Sequence, residues 1–110
     1  MSTSSNVLAF NPATSDLANT FFANKLGFET DCSDVYADIK AGNNNYLLLD
    51  VRSKDAFDKS HAITAISMPH SEINEATFNQ YDKKTIFVVY CWGPGCNGAT
   101  KAAMKISSLG

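Results

Sequence analysis

Apolar positions along the chain recur with two different periods, and each change of period marks a change of element. From Ser15 onward Leu17, Phe21, Phe22 and Leu26 recur at helical spacing, with Thr14 or Ser15 placed to cap the helix and Gly27 to stop it. "FETDCS" then turns the chain, and Ser33 is placed to cap a second helix over 34–41 whose apolar side is Val35, Tyr36 and Ile39. "GNNN" is a turn. "YLLLDV", residues 46–51, is a short apolar run that reads as a strand buried on both faces, the mark of a parallel sheet. A short helix over "SKDAFDKSH", capped by Ser53, leads to a weaker strand over 65–68 that Pro69 stops. "HSEINEATFNQY" reads as one helix with Ile73 and Phe78 facing inward. "TIFVVY", residues 85–90, is the clearest strand: β-branched, aromatic and uncharged. Beyond a glycine-rich loop, "ATKAAMKISSL" forms a helix whose small face of Ala99, Ala102, Ala103 and Ile106 suits tight packing on a sheet.

Strands that alternate with helices predict an α/β domain with a mainly parallel central sheet flanked by helices. Residues 1–13 read as a flexible lead-in and 14–110 as one domain, a size that supports a single hydrophobic core. No internal repeat or low-complexity segment interrupts it.

Charge narrows the function classes. A formal charge of −2 and a pI near 5.5 carry no basic surplus, so nucleic acid and anionic membrane are not expected partners. The N-terminal "MSTSSNVLAFNP" lacks the basic and apolar regions of a targeting segment, and no apolar run approaches a membrane span, so a cytoplasmic protein is expected. Three cysteines, an odd count, argue against a disulfide framework. Cys32, in the turn between two helices, reads as structural.

Cys91 differs in its setting. It ends the 85–90 strand, and in open α/β sheets ligands bind outside the carboxyl ends of strands. The helix that starts near 97–99 aims its positive end and free amides at the loop, which makes an anion site and favours the thiolate, the nucleophilic form of cysteine. Glycines 93, 95 and 98 let the loop curl its amides inward, and Pro94 stiffens the turn. Two rivals are weaker. A zinc site from Cys91, Cys96, His61 and His70 has C-x4-C spacing and no C-x2-C pair. "GPGCNG" has the letters of a dinucleotide loop, but no second strand with an acidic residue follows it.

Two ordered stretches, "LLLDVRSKDAFDKSHAITAISMPHSEI" and "IFVVYCWGPGCNGATKAA", together resemble the rhodanese-like (sulfurtransferase) domain, over residues 46–110. That family pairs a strand ending D-V-R and a G-H-I-P-G-A turn with a second strand ending in the active-site cysteine, an anion-binding loop and an alanine-rich helix. "KLGFETDCSDVYADI" is similar to the lead-in of a bacterial single-domain subgroup that carries the CWGPGCNG loop. The resemblance implies a three-layer rhodanese-like fold. It also implies a Cys91 nucleophile that takes sulfur from a small donor anion such as thiosulfate and passes it as a persulfide to cyanide, a thiol or a protein acceptor. Loop amides from Trp92, Gly93, Gly95, Cys96, Asn97 and Gly98 would hold the anion. Asp50, Arg52 and His61 would support the site without taking part in the chemistry. No metal or organic cofactor is implied, and a monomer is expected.

Departures from the family pattern keep other readings open. "SHAITA" stands for G-H-I-P-G-A, without its glycines and proline, which implies a turn of another shape. The active-site loop is enlarged, as in the family's phosphatase and arsenate-reducing relatives. It holds no Arg or Lys between Cys91 and Lys101, and Asn97 stands where those relatives clamp phosphate with arginine. Cys96 is an extra cysteine: either a thiol that resolves Cys91 as a disulfide or an inert loop-lining residue. The chain ends where the family continues with a strand and a terminal helix, which leaves a sheet edge or core face exposed. A non-catalytic rhodanese-like binding module and a Cys91/Cys96 redox enzyme complete the alternatives.

Overall fold

A computed structural model describes residues 5–93 and 95–110; the expectations for residues 1–4 and for Pro94 lie outside the described residues. The chain divides into two compact units, residues 1–37 and 38–110.

The first unit carries a 3-10 turn at Val7–Ala9 and helix α1, Ser15–Phe28. Thr14 caps α1: its side chain accepts from the Leu17 amide at 3.4 Å. The helix runs one residue past Gly27, which keeps helical backbone instead of stopping it. The apolar stripe read from the sequence is present but exposed, from 53% at Phe21 to 82% at Leu26. Helix α2, Cys32–Ala41, begins two residues before its expected start, because the Asp31 carboxylate, not the Ser33 hydroxyl, takes the cap position and accepts from the Asp34 amide at 2.8 Å.

The second unit is built on three strands: β1 (Leu47–Asp50), β2 (Ile66–Ser67) and β3 (Phe87–Tyr90). Their order is β2-β1-β3 and every pairing is parallel. β1 is therefore the centre, which is why Leu48, Leu49, Asp50 and Val51 are all buried. Asp50 stands opposite Ser67 on one side and Tyr90 on the other. Backbone bonds carry the ladder past the strand ends: Met68 N–H to Asp50 O (2.9 Å), His70 N–H to Val51 O and Val51 N–H to Tyr90 O (both 3.1 Å). Three chain segments thus leave the sheet side by side at its carboxyl end.

Helices α3 (Lys54–Lys59), α4 (Glu75–Phe78) and α5 (Gly98–Ser108) complete the unit. Leu49, Val51, Ile73, Phe78 and Ala102 form the core, and the rings of Phe78, Tyr81 and Phe87 meet at 5.1–5.4 Å between centroids. On α5 the small face is narrower than expected. Ala102 is fully buried and Ala99 and Ile106 partly so, whereas Ala103 is exposed. The single helix expected over 70–81 is two pieces, a 3-10 turn at His70–Glu72 and α4. Asn74 separates them. Its backbone is extended, and with Thr77 it forms a capping box in which each side chain accepts from the other's amide at 3.0 Å. Among the described residues no helix is long and apolar enough to cross a membrane.

The "SHAITA" turn contains Thr64 with φ of 71°, the left-handed region. Thr64 stands at the second glycine of the family's turn pattern, so the glycine is gone while the backbone conformation that suits it is present. A β-branched residue there is strained. Thr64 is exposed and contributes nothing to the core. Thr64→Gly is therefore expected to raise the unfolding free energy by about 1 kcal/mol. Chemical denaturation checks this, and an unchanged or lower midpoint would refute the strain.

Candidate active site

The carboxyl end of the sheet gathers residues from every strand. β1 supplies Asp50 and, two residues on, Arg52; β2 leads through Pro69 to His70; β3 ends at Tyr90 and delivers Cys91. Helix α5 begins at Gly98 and points its first turn back at the same place.

Gly98 sets how closely that helix approaches. A Cβ on it would lie 2.9 Å from Cys91 Sγ, 3.4 Å from His70 Cδ2 and 3.5 Å from Cys96 Sγ. Real Cβ atoms do not approach sulfur so closely, so only a hydrogen atom fits between the helix start and the sulfurs. Cys91 and Cys96 are joined as a disulfide, with Cα atoms 6.4 Å apart. The loop that allows this turns at Gly93, whose φ is 142°, and is closed by the Cys96 amide donating to Gly93 O at 2.9 Å. The Gly98 amide donates to Cys96 Sγ at 3.5 Å. Two of the six loop amides expected to face an anion are thus engaged within this disulfide-closed loop. Asn97 takes the N-cap position of α5 without a side-chain cap bond, and Gly95 and Asn97 are exposed.

Behind the cysteines lies a buried ion pair. The Asp50 carboxylate has no exposed surface, and Arg52 is 9% exposed at its side chain. Arg52 Nε donates to both carboxylate oxygens (3.0 and 3.1 Å) and Nη2 to Oδ2 (2.7 Å). The Arg52 amide donates to Oδ1 at 3.0 Å, and the Tyr90 hydroxyl donates to Oδ2 at 2.9 Å. Burial pushes the Asp50 carboxyl up, but the Arg52 side-chain and backbone bonds, the Tyr90 bond and the Arg52 charge together hold it below the usual carboxylate range. The bonds to Asp50 raise Arg52 further, against its own burial. Burial, with the Asp50 bond and charge, lifts the Tyr90 phenol above its ordinary value, against the pull of the Ala62 amide and the Arg52 charge.

Arg52 also reaches outward. Its guanidinium donates to Ser60 O and lies 4.5 Å from the centre of the Trp92 ring, which is 71% exposed at the loop rim. One side chain therefore connects the central strand, the end of α3 and the residue after Cys91. His61 serves α3: its Nδ1–H donates to Phe57 O at 2.7 Å and its ring stacks on Phe57 at 3.7 Å. Among the described residues no three His, Cys, Asp or Glu side chains are grouped to hold a metal ion.

Two residues were missed in the sequence. Tyr90 reads there as a strand hydrophobe, yet its hydroxyl joins Asp50 to the Ala62 amide at 3.0 Å, and its place one residue before Cys91 was the available signal. His70 reads as a helix residue or a zinc ligand. It lies beside both sulfurs, its Nδ1 is buried without a hydrogen-bond partner, and Lys105 Nζ donates to its carbonyl at 2.8 Å. Only the three-dimensional packing of the His70–Glu72 turn on α5 reveals it.

Asp50 has a folded-state pKa below its unfolded value of about 3.9, so its stabilisation is present above that pH and is lost as pH falls through the folded value. Asp50→Asn leaves Arg52 buried without its counter-charge and is expected to cost about 3–5 kcal/mol at neutral pH. The same change should flatten the acid limb of a stability–pH curve measured by denaturation; an unaltered acid limb would contradict the assignment. Gly98→Ala should force the α5 start away from Cys91, lowering reactivity of the reduced Cys91 thiol toward a small anionic alkylating reagent while the fold persists. Wild-type reactivity in that variant would show that the approach is not constrained.

The rhodanese-like domain model matches residues 31–110. Among solved structures, the BH2092 protein from Bacillus halodurans is 43% identical with a TM-score of 0.81, over 87% of this chain and 70% of that one. A protein from Lactobacillus plantarum is 27% identical with a TM-score of 0.68, over 86% of this chain and 80% of that one. A second Lactobacillus plantarum chain, at 24% identity and a TM-score of 0.71, covers 86% of this chain and 79% of its own, and supports the fold alone. No curated protein matches the chain. The family match spans the central sheet, the buried Asp50–Arg52 pair, both loop cysteines and α5, and the chain belongs to the rhodanese-like domain family.

Proposed function

We propose that the protein is a sulfurtransferase in which Cys91 carries the transferred sulfur. The observation that supports this reading is the seat of the Cys91 sulfur, at the end of β3 and against the first turn of the eleven-residue α5, with no side chain between them. That turn presents backbone amides and the positive end of the helix, which favour a thiolate over a thiol and a persulfide anion over its protonated form.

The reaction starts from reduced Cys91. Its thiolate attacks the outer sulfur of thiosulfate, the S–S bond of the donor breaks, and sulfite leaves with the electron pair. A thiolate acceptor, or cyanide, then attacks the outer sulfur of the Cys91 persulfide and regenerates the Cys91 thiolate. Asp50 and Arg52 hold the floor of the site; Trp92, braced by Arg52, stands at the rim where the acceptor enters. Beside it lies a depression lined by Arg52, Asp55, Ala56, Lys59 and Trp92, open to an approaching acceptor.

The test is a pair of proteins, wild type and Cys91→Ser, each reduced, freed of reductant and mixed with thiosulfate and cyanide. Wild type is expected to release sulfite and form thiocyanate, and Cys91→Ser to fall to the uncatalysed background. Sulfite release retained in Cys91→Ser, or no sulfite at all from a folded, reduced wild type, would sink the sulfurtransferase reading in favour of a binding module.

A further inference from the structure

We propose that Cys96 is a second catalytic residue, which resolves the Cys91 persulfide and releases its outer sulfur as hydrosulfide. This makes the protein a two-cysteine persulfide reductase as well as a sulfur carrier, and it rests on the sulfurtransferase reading of Cys91.

The two sulfurs are within bonding reach in the folded chain, because they are bonded. The loop brings Cys96 back onto Cys91 by a turn of its own, closed by the Cys96 amide and Gly93 O. Both sulfurs lie against the bare face of Gly98, so the same helix start acts on each. The Gly98 amide points at Cys96 Sγ, a donor that stabilises negative charge on that sulfur. Both cysteines are only half-buried, so the disulfide is open to a small dithiol. A cross-link spanning five positions closes a short loop, which restricts the unfolded chain less than a long loop does. An intramolecular thiol at this distance also outcompetes a dissolved one by a large effective concentration.

The step balances without an outside oxidant. The Cys96 thiolate attacks the inner sulfur, Cys91 Sγ; the Sγ–outer sulfur bond breaks; and the outer sulfur leaves with the electron pair as hydrosulfide. The Cys91–Cys96 disulfide that forms is the state seen in this structure. The zero-valent sulfur is reduced to sulfide while the two thiols are oxidised. A dithiol reductant then restores both thiols by exchange and is itself converted to a disulfide.

The experiment uses the full chain in a Cys32→Ser background, which removes the exposed third thiol. Wild-type loop and Cys96→Ser proteins are reduced, freed of reductant without oxygen, and given thiosulfate. Sulfite, hydrosulfide and intact mass are read together. With the wild-type loop, one equivalent of sulfite and one of hydrosulfide are expected, ending in a protein two hydrogens lighter than the reduced form. Cys96→Ser is expected to release sulfite but no hydrosulfide and to hold an adduct of about 32 Da, one persulfide sulfur. Adducts that persist equally on both proteins, or hydrosulfide released equally by both, would overturn the resolving role while leaving Cys91 as sulfur carrier. No sulfite from either protein would overturn the carrier reading and the resolving role with it.

Discussion

A carboxylate without solvent, at the end of the central strand, is the constraint on which the rest of this site depends. Asp50 cannot be left ionised in the core without partners, since an unpaired buried charge costs far more than the domain's net stability allows. Its partners are therefore obligatory, and each has a second attachment. Tyr90 bonds Asp50 and takes the Ala62 amide, which secures the turn after α3. Arg52 bonds Asp50, donates to Ser60 O and lies over Trp92. One buried charge thus fixes the ends of β1 and β3, the exit of α3 and the first residue of the loop.

The sulfur site uses that rigidity from the other side. Cys91 follows Tyr90 directly, so its position is inherited from a residue hydrogen-bonded to the sheet's centre. What then decides its chemistry is the helix start opposite, and the decisive feature there is an absence. Gly98 has no Cβ, and the space a methyl group would take is shared by Cys91, Cys96 and His70. An alanine would separate the sulfur from the helix amides that stabilise its anion. The ion pair and the glycine act on the same atom, one by holding the strand and the other by admitting the helix.

Much of this was legible in the residues. The uncharged, β-branched 85–90 run, the short apolar 46–51 run and the alanine-rich helix each declared their type, and the parallel sheet followed from their alternation. Asp50 and Arg52 were recognised through the family's motif. What stayed hidden required side chains to compete. Asn74 broke an expected helix because its side chain and that of Thr77 satisfy each other's amides, and Asp31 displaced Ser33 as a cap. Thr64 kept a left-handed backbone that its residue type argues against. His70 was invisible as a site residue because its proximity to the sulfurs is set by the packing of the His70–Glu72 turn on α5, which meet only in the fold.

The same ion pair also bears on which anion the loop can accept. The chain contains a single arginine, Arg52, and its guanidinium is committed to Asp50, Ser60 O and Trp92. Binding a phosphate dianion in the phosphatase manner needs a forked cation aimed into the loop. Freeing Arg52 for that task would strand Asp50, a penalty of about 3–5 kcal/mol for a broken buried pair. The loop is left with neutral donors, its backbone amides and the α5 start. Neutral dipoles of this kind suit the singly charged persulfide of Cys91, whereas a phosphate dianion held in the phosphatase manner needs the missing arginine fork. The residue that makes the scaffold rigid is thereby withheld from a phosphate clamp, which supports the proposed sulfur chemistry over a phosphatase reading.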